Sequence, residues 1–427
     1  MKRCILQLLL TSVLIASATA QINCSSGSVS NKLVCEFPIA AGLLTNDTAL
    51  GTKGGQQQLI NAEQAAAIFD NAIATQISQL PLATASAGTV VVYKGGVPET
   101  FNSLGPILAD RASTIGKHRL FVAFTASQFV FTNVDGSSLG NLPFEYQAVA
   151  TTSGGTTQST TYTSENINAS IKFDQFTAIV TYGITNKVDV SAIIPIGYVS
   201  VSTGIPASTS YVVNANNQLV FQYQNPASYS PGTASGIGDI VFNAKGSVWS
   251  GERAAVSAGF SLRVPTGDDL NLLGSGAWGY SPYVIYSHLG KVSPHARLGY
   301  QWNSATELNF SSSAGHDVGL PGGMQYDVGV DWAAVKRLTL AGDLLGSQYL
   351  NAPILVKATT SFTTGSGTQS LPTSITGNSS YTINNFSGGV KLSPVGNLVL
   401  AGNVLVQLNN NGLHARPTPL LGISYKF

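Results

Sequence analysis

Beyond Lys117, apolar and polar residues alternate with a period of two in one segment after another. Across 325–334, Tyr326, Val328, Val330 and Trp332 fall on one face, and Gln325, Asp327, Gly329 and Asp331 on the other. Across 295–303, Ala296, Leu298, Tyr300 and Trp302 oppose His295, Arg297, Gly299 and Gln301. The pattern returns over 239–248, 254–264 and 398–409. A period of two belongs to β-strands whose faces meet different surroundings.

The connections between these segments alternate in length. Short turns lie at 185–187, 250–253, 289–291, 335–337 and 393–397. Longer stretches rich in Ser, Thr, Gly and Asn, read as loops, lie near 133–166, 203–235, 268–277, 304–323 and 352–382. Short turns on one side and long loops on the other describe an outer-membrane barrel with its short side in the periplasm. With a first strand near 120–132 and a last near 417–427, the count is about twelve strands, an even number that returns both ends to the periplasm. The expected fold is therefore all-β, a transmembrane antiparallel up-and-down β-barrel over residues 117–427. On this register Val330 faces lipid, so Val330→Arg should be costly, while Asp331→Asn on a wet lumen wall should cost far less.

Composition sharpens this picture. Charged residues are 10% of the chain, against about a quarter in soluble domains. No apolar run past the N-terminus approaches the roughly 18 residues of a spanning helix. With 21 basic and 20 acidic residues, nothing electrostatic points to nucleic acid. The start of the chain is different: Met1-Lys2-Arg3, an apolar run from Ile5 to Ile15, and Ala18-Thr19-Ala20 read as a cleaved signal peptide over residues 1–20. Cys4 leaves with it, and Cys24 and Cys35 are expected to form a disulfide in an oxidising compartment. Gln21-Ile22-Asn23 before Cys24 lacks the small residues of a lipid-anchor site.

Residues 21–116 do not alternate. Within them 59–80 places Ile60, Ala67, Ile68, Ile73 and Ile77 near one face and ends before Pro81, as an amphipathic helix would. This region is either a plug inside the barrel or a periplasmic extension. At the other end, Phe427 follows Tyr425 and Ile423 at alternate positions, resembling the terminal strand that the barrel-assembly machinery reads. Outer-membrane lipids and that machinery are thus the expected partners, besides a small-molecule substrate.

Several stretches resemble one family. Gly236-Ile237-Gly238-Asp239-Ile240 opens a strand, Leu262-Arg263-Val264-Pro265-Thr266-Gly267-Asp268 closes the next, and Gly274-Ser275-Gly276 and Trp278-Gly279-Tyr280-Ser281-Pro282 follow. With Leu104-Gly105-Pro106 and Asp110-Arg111-Ala112, they resemble the outer-membrane transporter family named for the meta-pathway of phenol degradation. The resemblance implies a barrel for small, often aromatic or hydrophobic compounds. Read physically, the glycines and Pro265 serve bends at strand ends, or Asp239, Arg263 and Asp268 form a polar constriction.

Parity assigns Asp239, Lys245, Arg263, His295, Arg297, Asp327, Asp331, Asp343 and Lys391 to the lumen as pore-lining candidates. Mixed signs argue against a strongly ion-selective pore. Charges inside a membrane protein persist when paired or wet. Five histidines, His118, His288, His295, His316 and His414, show no metal-site spacing, and no cofactor fingerprint occurs. Ser287-His288 and Ser293 near His295 raise a lipid hydrolase as an alternative, but neither serine lies in a nucleophile motif. A structural or adhesive barrel is the other alternative. The expectation is a channel, not an enzyme.

Overall fold

The computed structural model describes Leu33, Ile73, Gln76, Ile77, Leu80 and residues 90–94, 97–101, 103–151, 157–225, 227–311, 316–365 and 367–427. The signal peptide, Cys24, Cys35 and most of the 59–80 helix lie outside the described residues. Of that helix, Ile73, Gln76 and Ile77 are helical and buried.

Twelve strands cross in chain order. They are β1 Leu120–Val134, β2 Thr157–Gly183, β3 Val188–Ile205 and β4, which is broken into Ser228–Ile237 and Ile240–Ser250. β5 Ala254–Val264, β6 Gly279–His288, β7 Val292–Asn303 and β8 Gly323–Val335 follow. The last four are β9 Leu338–Thr364, β10 Gly367–Leu392, β11 Leu398–Gln407 and β12 Thr418–Lys426. Each pairs antiparallel with the next, and β12 pairs with β1, Leu420 opposite Ser127 through Lys426 opposite Phe121. Closure removes the open edges that a lipid-facing sheet could not satisfy.

Parity sorts the side chains as the alternation requires. Val328, Val330 and Trp332 of β8 are 53%, 42% and 44% exposed, whereas Asp327 and Asp331 between them are 7% and 0%. Aromatics gather at both rims of the outer face: Tyr182, Trp249, Tyr286 and Tyr425 at the end of the short turns, Tyr198, Tyr280 and Trp302 at the other. An apolar outer band between aromatic girdles is what bilayer and interface select. Among the described residues no helix is long and apolar enough to cross a membrane; the strands cross instead. The protein sits in the outer membrane.

Two findings depart from the sequence reading. First, much of 133–166, 203–235 and 352–382 is strand, not loop. β9 and β10 run 27 and 26 residues, where a crossing needs about 9–11. Strands Leu142–Thr151, Ser208–Asn214 and Leu219–Asn225 add to the outer half of β2. The two extensions meet where Tyr162 stacks on Phe362 at 4.2 Å and the Glu145 N–H donates to Thr373 Oγ1. Asp135, between β1 and β2, ties the outer part of β9 to the connection between β11 and β12 by accepting from the N–H groups of Leu355 and Gly412, each at 2.8 Å.

Second, the inner face is not uniformly polar. On β1 to β3 it carries Phe121, Phe129, Phe131, Ile171, Phe173, Ile179, Ile193 and Val199, all buried. These strands are apolar on both faces, since Phe124, Phe176 and Ile196 point outward. Gln175, Thr177, Thr181 and Asp189 are buried polar groups on β2 and β3, but most of the charged inward residues lie on β4 to β10.

Candidate functional site

The site is the lumen, and the segment 103–116 shapes it. This stretch enters the periplasmic end of the barrel and crosses from the β8–β10 wall to the β3–β6 wall. At the first wall the Leu104 N–H donates to Thr339 Oγ1 at 2.9 Å, and Lys391 Nζ donates to the carbonyls of Leu104 and Pro106. At the far wall Ser257 donates to the Ala112 carbonyl, the Ala112 N–H donates to Ser287 Oγ at 3.0 Å, and the Ile115 N–H donates to Asp189 at 2.8 Å. A segment with no partner strand has its backbone groups satisfied by wall side chains, as buried amides require.

Charges lock it in place. Arg111 Nη2 lies 2.6 Å from Asp331 Oδ2, both side chains almost wholly buried, with Ser103 donating to the same carboxylate. Lys245 Nζ lies 3.0 Å from Asp110 Oδ1 and also donates to the Arg111 carbonyl. His295 stands between two acids, its Nε2 2.9 Å from Asp343 Oδ1 and its Nδ1 3.5 Å from Asp331 Oδ1. That reach depends on Gly329, which lies between His295 and Asp343 in the register of β7, β8 and β9. A Cβ at Gly329 would collide with both side chains.

All nine pore-lining candidates face the interior. The structure brings His295, Asp331 and Asp343 into one cluster, and joins Arg297 to Asp327 at 3.4 Å and Arg263 to Asp239 at 3.7 Å. Lys245 and Lys391 engage the crossing segment. Asp268 does not join Asp239 and Arg263 in a constriction: it holds Asn271 within its own loop. Asp239 accepts from Gly267 N, Ser275 N and Ser275 Oγ, which fixes the loop after β5 against the break in β4. The partners that parity could not reveal are Asp110, Arg111 and Ser103; the Asp110-Arg111-Ala112 motif signalled the first two, and nothing signalled Ser103. Ser287, weighed as a nucleophile, faces inward and takes the Ala112 N–H.

Above the crossing segment the lumen opens into a chamber of about 210 Å³. Its wall carries one uncharged polar side chain from each of seven consecutive strands: Asn243, Ser261, Ser281, Gln301, Gln325, Ser347 and Asn385, from β4 to β10. Asn243 with Ser261, Ser261 with Ser281, and Gln325 with Ser347 are direct cross-strand partners. Ser261 donates to Asn243 at 2.6 Å, and Tyr283, with Arg297 4.5 Å above its ring, donates to Asn243 at 3.2 Å. Adjoining the chamber at Leu80, Val241 and Arg263 is a second, small cavity of about 40 Å³ lined by Phe173, Gln175, Pro195, Asp239, Leu272 and Leu273.

A family model described as "Putative MetA-pathway of phenol degradation" matches residues 147–412, more than half of the chain. No curated protein matches it. Among solved structures the chain is similar to the COG4313 outer membrane channel from Pseudomonas putida F1, at 14% identity and TM-score 0.44, covering 74% of this chain and 98% of that one. A Pseudomonas aeruginosa FadL homologue matches at 10% identity and TM-score 0.28, covering 73% and 90%. The Ralstonia pickettii toluene transporter TbuX matches at 10% identity and TM-score 0.25, covering 73% and 90%.

Proposed function

We propose a substrate from one premise: this chain belongs to the phenol-degradation MetA-pathway family. The protein is an outer-membrane transporter, and the compounds it passes are small and hydrophobic or aromatic. The observation that carries this reading is the lumen chamber, where the apolar side chains of Leu108, Ile193, Val241 and Leu345 line the wall among polar ones.

The residues 103–116 act as a plug across the periplasmic half, held by Arg111, Asp331, Lys245 and Lys391. Arg111 with Asp331, Lys245 with Asp110, Arg263 with Asp239 and Arg297 with Asp327 pair opposite signs along the lumen, so the wall favours neither cations nor anions strongly. Phe427, whose N–H bonds the Leu120 carbonyl at the closing seam, is the residue the barrel-assembly machinery reads. The test is single-channel conductance of the refolded protein with and without residues 21–110. Removal should raise conductance; equal conductance of the two forms would make the segment an extension with no part in gating.

A further inference from the structure

Charge is distributed unevenly between the two ends of the barrel. The short turn after β2 carries Lys187, the one after β4 Arg253, the one after β6 Lys291, and the one after β8 Lys336 and Arg337, all exposed. The seam where the barrel closes adds Lys117 and Arg119 before β1 and Lys426 at the end of β12. Among the described residues of these turns and the seam, Glu252 is the one acid. Eight basic side chains and one acidic one thus crown the periplasmic mouth of a chain whose net charge is +1. At the opposite end Lys357 and Arg416 stand against Asp135, Asp268 and Asp269.

Register decides which way the crown faces. Ile184, Val188, Val292 and Val335, at the feet of the strands, follow outward parity and are 46%, 37%, 51% and 62% exposed. Lys187 and Lys291 are the chain neighbours of Val188 and Val292, and Arg119 and Lys426 take the inward parity of the buried Phe121 and Ser424. An apolar collar therefore meets the lipid, with the cations inside it around the opening; a ring built for lipid phosphates would stand outside. The charged pairs of the lumen wall neutralise one another, whereas none of these eight forms an ion pair among the described residues. Turns of two to five residues keep this end low and flat. A small anion would reach one or two of the spread cations, but an acidic surface laid across the mouth would reach most of them.

We propose that the periplasmic mouth is a docking surface for a protein with an acidic face, which seats over the opening and covers the exit of the lumen. Complementary charge of this kind steers encounter and fixes orientation. It is weakened by salt, because the charges lie at a wet rim. The inference rests on the barrel and its sidedness, and is independent of what the chamber carries.

The test has two arms, both on the full-length protein. In nanodiscs of phosphatidylcholine, binding of fluorescent poly-L-glutamate is followed by anisotropy. Lys187→Glu, Arg253→Glu, Lys291→Glu and Lys336→Glu together should weaken it about tenfold or more, whereas Lys357→Glu with Arg416→Glu at the other end should leave it unchanged. Should the fourfold variant lack the heat-modifiable band of a folded barrel, the same four positions changed to Gln serve. In intact cells, a photocrosslinking residue at Thr185, in the turn after β2, should capture a protein of acidic isoelectric point, and the charge-reversed turns should abolish the adduct. The same residue at Gly365, at the extracellular tip between β9 and β10, should not capture it. Equal loss of poly-glutamate binding in the two sets of variants, or no acidic adduct at Thr185, overturns the proposal. Loss of wild-type poly-glutamate binding when the nanodiscs contain phosphatidylglycerol also overturns it, and assigns the crown to the lipid head groups of the membrane.

Discussion

Gly329 shows how a residue without a side chain can organise its neighbours. Because nothing projects inward from β8 at that point, the His295 ring on β7 spans to Asp343 on β9. Gly329→Ala should break that contact and strand a buried carboxylate, at a cost of about 1 to 3 kcal/mol, read from urea unfolding in liposomes. The neighbouring pair Val330 and Asp331 gives a second prediction. Val330→Arg places a charge on the lipid face and should cost about 2 to 4 kcal/mol near the midplane. Asp331→Asn, read from sequence as mild, leaves Arg111 buried without its carboxylate and should cost as much, about 3 to 5 kcal/mol for a broken buried pair. A much smaller loss for Asp331→Asn in the same unfolding series would mean that Arg111 is satisfied elsewhere. Parity could place Asp331 on the inner face because alternation is local. It could not supply Arg111, which is 220 residues away in a segment that makes no ladder.

At the scale of elements, legibility follows the solvent contrast across each strand. β5, β7 and β8 separate lipid from a polar lumen and alternate plainly in the sequence. β1 to β3 have Phe and Ile on both faces, and the outer halves of β9 and β10 have Thr and Ser on both, so period two carries no signal there. Those halves stand clear of the bilayer. Glu165 lies 18 positions from Gly183 at the periplasmic end of β2 (183 − 165), roughly 60 Å along a strand. Even at a tilt of about 45°, that height exceeds the ~30 Å hydrocarbon core. Glu165 is 1% exposed, and burial pushes its carboxyl up to about 8 from 4.5, a hydrogen bond with Ser208 opposing only part of the shift. A carboxyl raised on folding contributes stability that is present below its unfolded pKa and lost as pH rises through the folded one. Resistance of the extracellular extension to protease should therefore fall as pH rises from 4.5 to about 8, and Glu165→Gln should flatten that dependence. A wild-type profile already flat across this range would place the carboxyl in water.

For the whole molecule, the barrel and its crossing segment are coupled through few groups. The strands close on themselves whatever 103–116 does, since β12 meets β1 without its help. The segment's hold on the wall runs through Arg111 with Asp331, Asp110 with Lys245, and backbone bonds to Thr339, Lys391, Ser257, Ser287 and Asp189. Reversing one charge converts the central attraction into repulsion between two buried groups of like sign, an effect that the remaining bonds must oppose. Arg111→Asp should therefore free the segment and raise single-channel conductance, with the barrel still folded by heat-modifiability. Combining Arg111→Asp with Asp331→Arg restores opposite signs at the same separation and should return conductance toward wild type. Coupling of that kind is what a double-mutant cycle isolates. Conductance equally high in the single and double variants would mean that the two positions act independently, and that the backbone bonds hold the segment.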